Sequence, residues 1–274
     1  MKLSIITINK NNASGLDRTI QSVISQTNKD FEYIVIDGAS TDGSVEVIKK
    51  YSSGINYWVS EKDTGVYNAM NKGIQKAQGD YCLFLNSGDY LVSSTTLQDI
   101  INEISNIEQA DIFYSNCIRT DGITSYYPDY LTINNLLDNA INHQNTIIKR
   151  ILFLEHGYYN EKFRVASDRE FFLYELWKYK SKFIHLKTNI SIYDMNGISS
   201  INISDSRTEY MDVLKNVFQE LSETIIEVYN YHETIYYDII KNYDNSKLLV
   251  FILRTYRFIM LKILKFRHLL KTKL

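Results

Sequence analysis

The sequence predicts an α/β fold in which helices flank a mostly parallel central sheet, followed by a helical extension at the C-terminal end. In the first 105 residues, short apolar runs alternate with segments whose apolar residues recur at helical spacing. This alternation is typical of β-α-β units, whose strands pair in parallel and are covered by helices. From about residue 205 onward, almost every segment favours helix.

Each predicted element of the first half has its own apolar pattern. The predicted strands are short apolar runs, as expected for strands that are buried on both faces. They cover Leu3–Asn9, Phe31–Gly38, Ile55–Glu61 and Tyr81–Asn86. The predicted helices have apolar residues on one face. They cover Leu16–Ile24, Ser44–Tyr51, Val66–Ala77 and Leu97–Ile104.

The second half of the chain is less regular. Apolar runs at Ala110–Ile118 and from Ile123 onward flank the turn Asp121–Gly122, which predicts a hairpin. The segment Ser167–Tyr179 predicts an amphipathic helix, and Lys182–Met195 predicts one strand or a pair of strands. We therefore expect one α/β domain over residues 1–204, divided near residue 105, and a helical extension over residues 205–274.

The composition excludes several classes of protein. Of the 274 residues, 45% are hydrophobic and one is proline, which indicates a packed core rather than a disordered chain. Cys82 and Cys117 form no CxxC pair and are too few for a disulfide scaffold, which fits a reducing cytoplasm. The apolar N-terminal run is too short for a signal peptide, and no uncharged stretch reaches the ~18 residues of a membrane span. We expect a cytoplasmic protein.

The charge is distributed unevenly along the chain. The last 30 residues contain eight Lys or Arg and no Asp or Glu, which leaves 22 basic and 32 acidic residues in the rest. An acidic body argues against nucleic acid as a partner. The basic and apolar segment 247–274 is similar to an interfacial helix that lies on an anionic membrane surface. The alternative is a helix that packs on the domain or on a second copy in a homo-oligomer.

Acidic side chains follow three of the predicted strands. Asp37 ends the second strand, Asp63 follows the third, and Asp89 follows the fourth in the turn Asn86–Asp89. In a parallel sheet, ligands bind beyond the carboxyl ends of the strands, so these carboxylates are candidate site residues. Asp37 could accept hydrogen bonds from a base or a ribose. The alternative is an Asx-turn that leads into a capped helix.

A lone carboxylate at the end of a buried strand also suits a hard divalent cation. Mg²⁺ and Mn²⁺ prefer oxygen ligands and need only one or two carboxylates when a substrate supplies phosphates. Gly88 allows the sharp turn that aims Asp89, although aspartate is also common in turns that bind nothing. This pattern predicts a metal site at Asp89.

Two helix starts carry further candidates. The helix after Asp63 begins with Asn68, Asn71 and Lys72, which would suit a polar or anionic ligand; the alternative is a solvated first turn. Asp168 lies at the start of the helix Ser167–Tyr179. It could act as a general base, or it could only interact with the helix dipole.

Five segments, in this order, resemble the family-2 glycosyltransferases with a GT-A fold. The family pattern has a "SIIT–N" strand, a "V-D-x-x-S-x-D-G" turn, a "D-x-G-x-x-x-A-x-N-x-G" helix start, a DxD-like turn and a later acidic motif. The corresponding segments here are Leu3–Asn11, Val35–Ser44, Asp63–Asp89 and Ala166–Phe171. The third of these ranges contains both the helix start and the DxD-like turn. The segment Asn142–Arg150, "NHQNTIIKR", resembles one found in relatives that build bacterial surface polysaccharides.

The resemblance implies a role for each matching residue. Residues 1–105 would form the nucleotide-binding half and residues 106–204 the acceptor half. Asp89 would bind Mg²⁺ or Mn²⁺, and Asp168 would be the catalytic base. His143, Gln144 and Arg169 would contact the acceptor or the phosphates, although a lone histidine is more often structural. The residues expected to bind the nucleotide sugar are Asp37, Asp63, Asn68, Asn71, Lys72, Asn86 and Ser87.

The sequence departs from the family pattern at three positions. Ser87 replaces the first carboxylate of the DxD-like triplet, which weakens or removes one ribose or metal contact. Ser167 precedes Asp168 where many relatives have Glu, and Asn68 stands where many have Asp. These departures leave the roles of these positions open.

The resemblance implies an inverting, metal-dependent transfer of a sugar from a nucleoside diphosphate, with UDP favoured, to a glycan or lipid-linked acceptor in surface polysaccharide synthesis. One alternative is a sugar nucleotidyltransferase, but that class needs a glycine-rich basic loop after the first strand, and residues 9–18 contain a single glycine. The other alternative is a non-catalytic nucleotide-sugar-binding or assembly partner. Titration with UDP and Mn²⁺ distinguishes the transferase from this non-catalytic partner.

Overall fold

The predicted alternation of strands and helices is present at the start of the chain. A computed structural model describes residues 2–105, 107, 110–138, 141–195 and 203–219. The elements of the first half are β1 (Leu3–Asn9), α1 (Ala13–Ile24), β2 (Phe31–Asp37), α2 (Ser44–Lys50), β3 (Tyr57–Ser60), α3 (Val66–Lys76), β4 (Tyr81–Phe84), β5 (Tyr90–Leu91) and α4 (Thr96–Ile104). The four strands and four helices predicted here are confirmed within a few residues.

The second half adds shorter elements. They are β6 (Ile112–Tyr114), β7 (Cys117–Arg119), β8 (Thr124–Ser125), α5 (Ile133–Asp138), β9 (Thr146–Lys149), α6 (Arg150–His156), α7 (Ser167–Tyr174), β10 (Phe183–His185), β11 (Ser191–Tyr193) and α8 (Ile203–Phe218). The predicted helix Ser167–Tyr179 is α7 followed by one π-helical turn, Glu175–Tyr179.

The central sheet has seven strands in the order β10-β6-β9-β4-β1-β2-β3. β1 pairs in parallel with both β2 and β4, and β2 pairs in parallel with β3. β9 is the exception, because it runs antiparallel between β4 and β6. The predicted mostly parallel sheet is therefore confirmed, and the register places Asn9 of β1 directly beside Asp37 of β2.

A second, four-stranded sheet has the order β5-β11-β7-β8. The predicted hairpin exists as the antiparallel pair β7 and β8 around Asp121–Gly122. The prediction was wrong in treating Ala110–Ile118 as one strand, because β6 belongs to the central sheet and β7 to the second sheet. The segment Lys182–Met195 is divided in the same way between β10 and β11.

Helices cover both faces of the parallel strands, so all seven residues of β1 are buried. On one face, Ile5 of β1 packs in a cluster with Leu16 and Ile20 of α1. On the other face, α3 lies so close to β1 that a Cβ atom at Gly73 would overlap the Cγ2 methyl of Ile6. Alternate residues of β1 thus pack against helices on opposite faces of the sheet, as expected for a sheet covered on both faces.

The chain divides into two units, Met1–Val213 and Leu214–Leu274. The basic segment 247–274, predicted to contact a membrane, and most of the predicted extension 205–274 lie outside the described residues. Within the part of the chain that the structure describes, no helix is both long enough and apolar enough to cross a membrane.

The close approach of α3 to β1 predicts the effect of Gly73→Ala. The added methyl would meet Ile6, which is fully buried and cannot move aside. We expect a loss of about 1–2 kcal/mol in the free energy of unfolding, measured by urea denaturation, because overpacking outweighs the helix propensity of alanine. The control is Gln75→Ala at an exposed position of α3, which should change stability by less than about 0.5 kcal/mol. Equal stability of both variants would contradict this packing.

Candidate active site

The carboxylate of Asp37 is completely buried at the end of β2 and is held by hydrogen bonds. Its Oδ1 accepts bonds from Asn9 Nδ2 (2.7 Å) and Ser40 Oγ (2.6 Å). Its Oδ2 accepts bonds from the Ser40 backbone N–H (2.9 Å) and Ser60 Oγ (2.6 Å). Burial opposes ionisation, but these four donors outweigh it and lower the pKa of Asp37 below its ordinary value.

Asp63 joins the turn that follows Asp37. A Cβ atom at Gly38 would overlap the Asp63 carboxylate, so the two acidic motifs lie in contact at this glycine. Lys10, directly after β1, donates from its ammonium group to the Gly38 carbonyl. Ala39 has a positive φ of 57°, which is strained for alanine and keeps this turn tight. The ends of β1, β2 and β3 therefore converge as the strand pattern predicted.

The three polar residues of α3 have different surroundings. Asn71 is buried, and its side chain pairs with the backbone of Tyr159, accepting from the N–H (3.1 Å) and donating to the carbonyl (2.9 Å). Asn68 donates to Glu161 (2.9 Å). Lys72 forms an ion pair with Glu61 (2.7 Å). These contacts tie α3 to neighbouring segments of the domain.

The turn Asn86–Asp89 is fastened to the end of β1 and the start of α1. The Ser87 N–H donates to the Ile8 carbonyl (2.9 Å), and Asn12 Nδ2 donates to the Ser87 carbonyl (2.9 Å). Gly88 adopts a φ of 114°, a conformation that favours glycine. The DxD-like triplet therefore lies beside the Asp37 turn, across the end of β1.

Asp89 is 3% exposed, and its Oδ1 accepts a bond from the backbone N–H of Asp194 (2.8 Å). Burial raises the pKa of the Asp89 carboxyl to about 7, although this hydrogen bond and nearby His143 oppose the shift. A buried carboxylate with so few donors is costly to ionise without a cation. The environment of Asp89 therefore raises the pKa of its carboxyl, whereas the environment of Asp37 lowers it.

Arg18 and Asp194 form an ion pair next to the turn Asn86–Asp89. The Arg18 guanidinium forms an ion pair with Asp194 (2.7 Å) and donates to the Gly88 carbonyl (2.8 Å). Asp194 follows β11, so the second sheet contributes an acidic residue at the end of a strand close to Asp89. Neither residue was among the predicted site residues.

A chain of hydrogen bonds connects the DxD-like turn to Asp168. Asn86 Nδ2 lies 2.9 Å from His143 Nε2, and His143 Nδ1 lies 2.9 Å from Asp168 Oδ2. The imidazole therefore bridges the Asn86 amide and the Asp168 carboxylate, with one ring nitrogen facing each. Asp168 Oδ1 accepts bonds from the Tyr67 hydroxyl (3.0 Å) and the Arg169 N–H (2.9 Å).

Asp168 stays an acceptor in this arrangement. Burial opposes its ionisation, but the bonds from His143 and Tyr67 and the charge of Arg169 lower the pKa of Asp168 below its ordinary value. Arg169 itself stacks over the Tyr210 ring, with 4.7 Å from its guanidinium carbon to the ring centroid. An ionised, hydrogen-bonded carboxylate at a helix start can accept a proton from a hydroxyl.

Three buried amide oxygens in this region have no hydrogen-bond partner among the described residues. They belong to Asn9, Asn86 and Gln144. Buried polar atoms are normally satisfied, so unpaired acceptors next to Asp37 and in the DxD-like turn suit a ligand or ordered water. The oxygens of Asp89 and Asn86 are hard ligands of the kind that Mg²⁺ and Mn²⁺ prefer.

The described residues contain no cluster of three or more His, Cys, Asp or Glu side chains suited to a metal ion. A protein site of one carboxylate and one amide oxygen is consistent with a cation that shares its coordination sphere with substrate phosphates. The residues present therefore fit an Mg²⁺ or Mn²⁺ ion that would also be coordinated by the phosphates of a substrate.

A separate cavity of about 100 Å³ lies along α7. Its α7 lining consists of residues 167, 170, 171 and 174, which form one face of the helix, and Asp168 is not among them. Glu170, bonded by Asn160 Nδ2 (3.0 Å), faces this cavity. The structure thus separates Glu170 from Asp168, because residues two positions apart on a helix face different directions.

Sequence reasoning did not identify the residues that hold the acidic groups. Asn9, Ser60 and Tyr67 each bond a candidate carboxylate from another element. Asp194 could have been found with the same strand-end rule that identified Asp89. Tyr67 carried no signal, because a tyrosine in the first turn of a helix is normally a packing residue.

With this geometry established, comparison with known proteins defines the class. The family model described as "Glycosyl transferase family 2" matches residues 4–169, and the chain belongs to this family of glycosyltransferases. A "PGL/p-HBAD biosynthesis glycosyltransferase" of Mycobacterium bovis is 31% identical over 171 residues, which are 61% of this chain and 67% of the relative.

Solved structures support the GT-A fold. S. aureus TarS 1-349, solved in complex with UDP-GlcNAc, matches with a TM-score of 0.66 and 19% identity over 79% of this chain. The mannosyltransferase PcManGT from Pyrobaculum calidifontis, solved with GDP-Man and Mn²⁺, matches with a TM-score of 0.56 and 14% identity over 81% of this chain. The chain spans less than two thirds of each, 65% and 64% of their lengths. The predicted family and fold are confirmed.

The burial of Asp89 predicts that Asp89→Asn stabilises the metal-free protein. The pKa of Asp89 is raised in the folded state to about 7, so ionisation costs nothing below the unfolded pKa and carries its full penalty above pH 7. At pH 8 in EDTA, the variant should be more stable by about 2 kcal/mol, and this difference should shrink towards pH 5. Thermal unfolding measures it.

The control for this experiment is Asp30→Asn, which changes an exposed aspartate. It should leave the melting temperature at pH 8 unchanged within error. A lower stability of Asp89→Asn at pH 8 would contradict the proposed cost of burying this carboxylate.

Proposed function

We propose that the protein is an inverting, metal-dependent glycosyltransferase that moves a sugar from a nucleoside diphosphate to an acceptor hydroxyl. The observation that carries this proposal is the hydrogen-bonded path from Asn86 through His143 to Asp168. It links the turn suited to a metal and diphosphate with an ionised carboxylate suited to a base. A second continuous path, through Ser87 and β1, links the same turn to Asp37.

The donor nucleotide would lie over the ends of β1, β2 and β3. Asp37 and Asp63 converge at Gly38, where their carboxylates would accept hydrogen bonds from a base or ribose. Asn68 and Lys72 on α3, and Asn86 and Ser87 in the turn after β4, would complete the donor site, whereas the Asn71 amide is already bonded to the backbone of Tyr159. We favour UDP as the nucleotide, because TarS 1-349 was solved with UDP-GlcNAc and shares this fold.

The cation would be held by Asp89, with Asn86 Oδ1 as a second oxygen ligand. When bound, Mg²⁺ or Mn²⁺ would stabilise the negative charge that develops on the departing diphosphate. The serine at position 87 leaves Asp89 as the only carboxylate of the DxD-like triplet. The solved mannosyltransferase complex with Mn²⁺ supports a divalent cation in this fold.

Asp168 would act as the general base. Its lowered pKa keeps it ionised at neutral pH, and the bonds from His143 and Tyr67 fix its orientation. It would accept the proton of the acceptor hydroxyl as that oxygen attacks the sugar from the face opposite the diphosphate. His143 would position Asp168, rather than contact the acceptor, because both imidazole nitrogens already bond to protein atoms.

The acceptor side of the site would include Gln144 and Arg169, which flank His143 and Asp168 in sequence. A glycan or lipid-linked acceptor in surface polysaccharide synthesis agrees with the mycobacterial relative, which is described as acting in PGL/p-HBAD biosynthesis. We place the protein in the cytoplasm, with segment 247–274 touching the anionic face of the membrane or a second copy. Liposome sedimentation of the chain with and without this segment tests that location.

Calorimetric titration with UDP and Mn²⁺ tests the donor site. Wild-type protein should bind UDP only with Mn²⁺ or Mg²⁺ present, and Asp89→Asn should bind at least about 30-fold more weakly, as expected when a buried metal ligand is lost. The variant should remain folded, because removal of the buried charge stabilises it. If wild type binds no UDP, GDP or dTDP with either metal, the proposed function is wrong.

Asp168→Asn tests the base. We expect transfer, or donor hydrolysis when no acceptor is known, to fall about 10²–10⁴-fold while UDP binding is kept. His143→Phe retains the ring shape but loses both hydrogen bonds; it should lower the rate about 10-fold or more and shift the acid limb of the pH profile towards neutral pH, because Asp168 loses the donor that lowers its pKa. Full activity of Asp168→Asn would exclude this residue as the base.

A further inference from the structure

A cluster of solvent-exposed side chains lies in the segment 123–130. Among the described residues, eight large hydrophobic side chains are exposed, and three of them are Ile123, Tyr126 and Tyr130. Tyr126 is 79% exposed and Tyr130 is 88% exposed. Single exposed apolar residues are normal, but two almost fully exposed aromatic rings four residues apart indicate a surface that binds something.

The backbone between the two tyrosines is anchored, although the rings are not. The Tyr127 N–H donates to Asn116 Oδ1 (3.0 Å), and the Tyr114 hydroxyl donates to the Pro128 carbonyl (2.6 Å). Asp129 Oδ1 pairs with His185 Nδ1 (2.8 Å) and Lys187 Nζ (2.6 Å). The rings therefore project from a rigid segment. Ligand binding would cost little conformational entropy of the protein backbone here.

This segment is continuous with the part of the site that holds Asp168. Tyr127 is buried between the two exposed tyrosines, and the charges of Arg169 and Asp168 lie near enough to influence the pKa of its phenol. The following helix, α5, packs against α7, whose first turn contains Asp168. A molecule that delivers a hydroxyl to Asp168 can therefore extend over this surface.

We propose that Tyr126 and Tyr130, with Asp129 between them, form a platform that binds the carbohydrate chain of the acceptor. This inference rests on the proposed glycosyltransferase function. The C–H faces of sugar rings pack on the negative faces of aromatic rings. The carboxylate of Asp129, which is 70% exposed, can accept hydrogen bonds from sugar hydroxyls beside the stacked rings.

The charges of the segment favour a carbohydrate over a lipid surface. Residues 120–130 contain two Asp and no Lys or Arg, and each Asp is paired with a cation beside the segment, Asp121 with Arg119 (2.5 Å) and Asp129 with Lys187 (2.6 Å). The segment therefore has little net positive charge with which to attract an anionic membrane. A neutral or weakly charged glycan needs no such attraction.

The test compares the double variant Tyr126→Ala/Tyr130→Ala with wild type. Binding of soluble malto-, chito- and manno-oligosaccharides is measured by saturation-transfer NMR, and UDP binding with Mn²⁺ is measured by calorimetry. We expect the oligosaccharide that binds wild type to bind the double variant about tenfold or more weakly, with UDP binding unchanged. Tyr126→Phe/Tyr130→Phe keeps the rings and should keep most of the affinity. Tyr158→Ala, at a 39% exposed tyrosine outside the platform, should change nothing.

Three results would overturn the platform. One is equal affinity of wild type and the double variant, and another is the absence of binding to wild type by every oligosaccharide of the panel. The third is that flotation with vesicles of three parts phosphatidylcholine to one part phosphatidylglycerol is lost in the double variant while oligosaccharide binding is kept, which would indicate a lipid contact. In each case, nucleotide binding by wild type keeps the proposed function separate, since that function is contradicted when UDP, GDP and dTDP all fail to bind.

Discussion

The site depends on the two hydrogen bonds made by the His143 imidazole. One joins it to Asn86, in the turn after β4, and the other joins it to Asp168, in the first turn of α7. These residues come from parts of the chain that no local interaction brings together. The imidazole connects the turn proposed to hold a cation with the carboxylate proposed as the base, and it is one of the groups that lower the pKa of Asp168. Tyr67 completes this arrangement by bonding the other oxygen of Asp168.

Three carboxylates of the same region differ in their hydrogen-bond donors, and this difference agrees with the roles proposed for them. Asp37 has four donors and a lowered pKa, so it stays an acceptor. Asp168 has donors on both oxygens and a lowered pKa, as its proposed role as a base requires. Asp89 has a backbone donor and a pKa raised to about 7, so its charge is incompletely compensated by the protein. A cation would supply the missing compensation.

The prediction succeeded where chemistry is encoded locally. Continuous apolar runs predicted the strands β1 to β4, and the structure confirms that Asp37, Asp63 and Asp89 lie at or shortly after the ends of three of them. It failed where one apolar segment is divided between two sheets. Ala110–Ile118 has a uniform apolar pattern, yet β6 and β7 join different sheets, because the two-residue connection at Ser115–Asn116 redirects the chain. The antiparallel strand β9 was not predicted, since a run of three β-branched residues followed by a lysine does not specify a direction.

The sequence by itself determined the α/β class, the parallel direction of the first strands and the carboxylates at their ends. These features follow from apolar periodicity and from residues adjacent in the chain. Only the tertiary structure decided which groups hold each carboxylate, and hence its pKa. Asn9, Ser60, Tyr67 and His143 bond their partners across 23 to 101 positions of sequence. Hydrogen bonds between residues so far apart in the sequence form only after packing has set the distances, so no local sequence pattern predicts them.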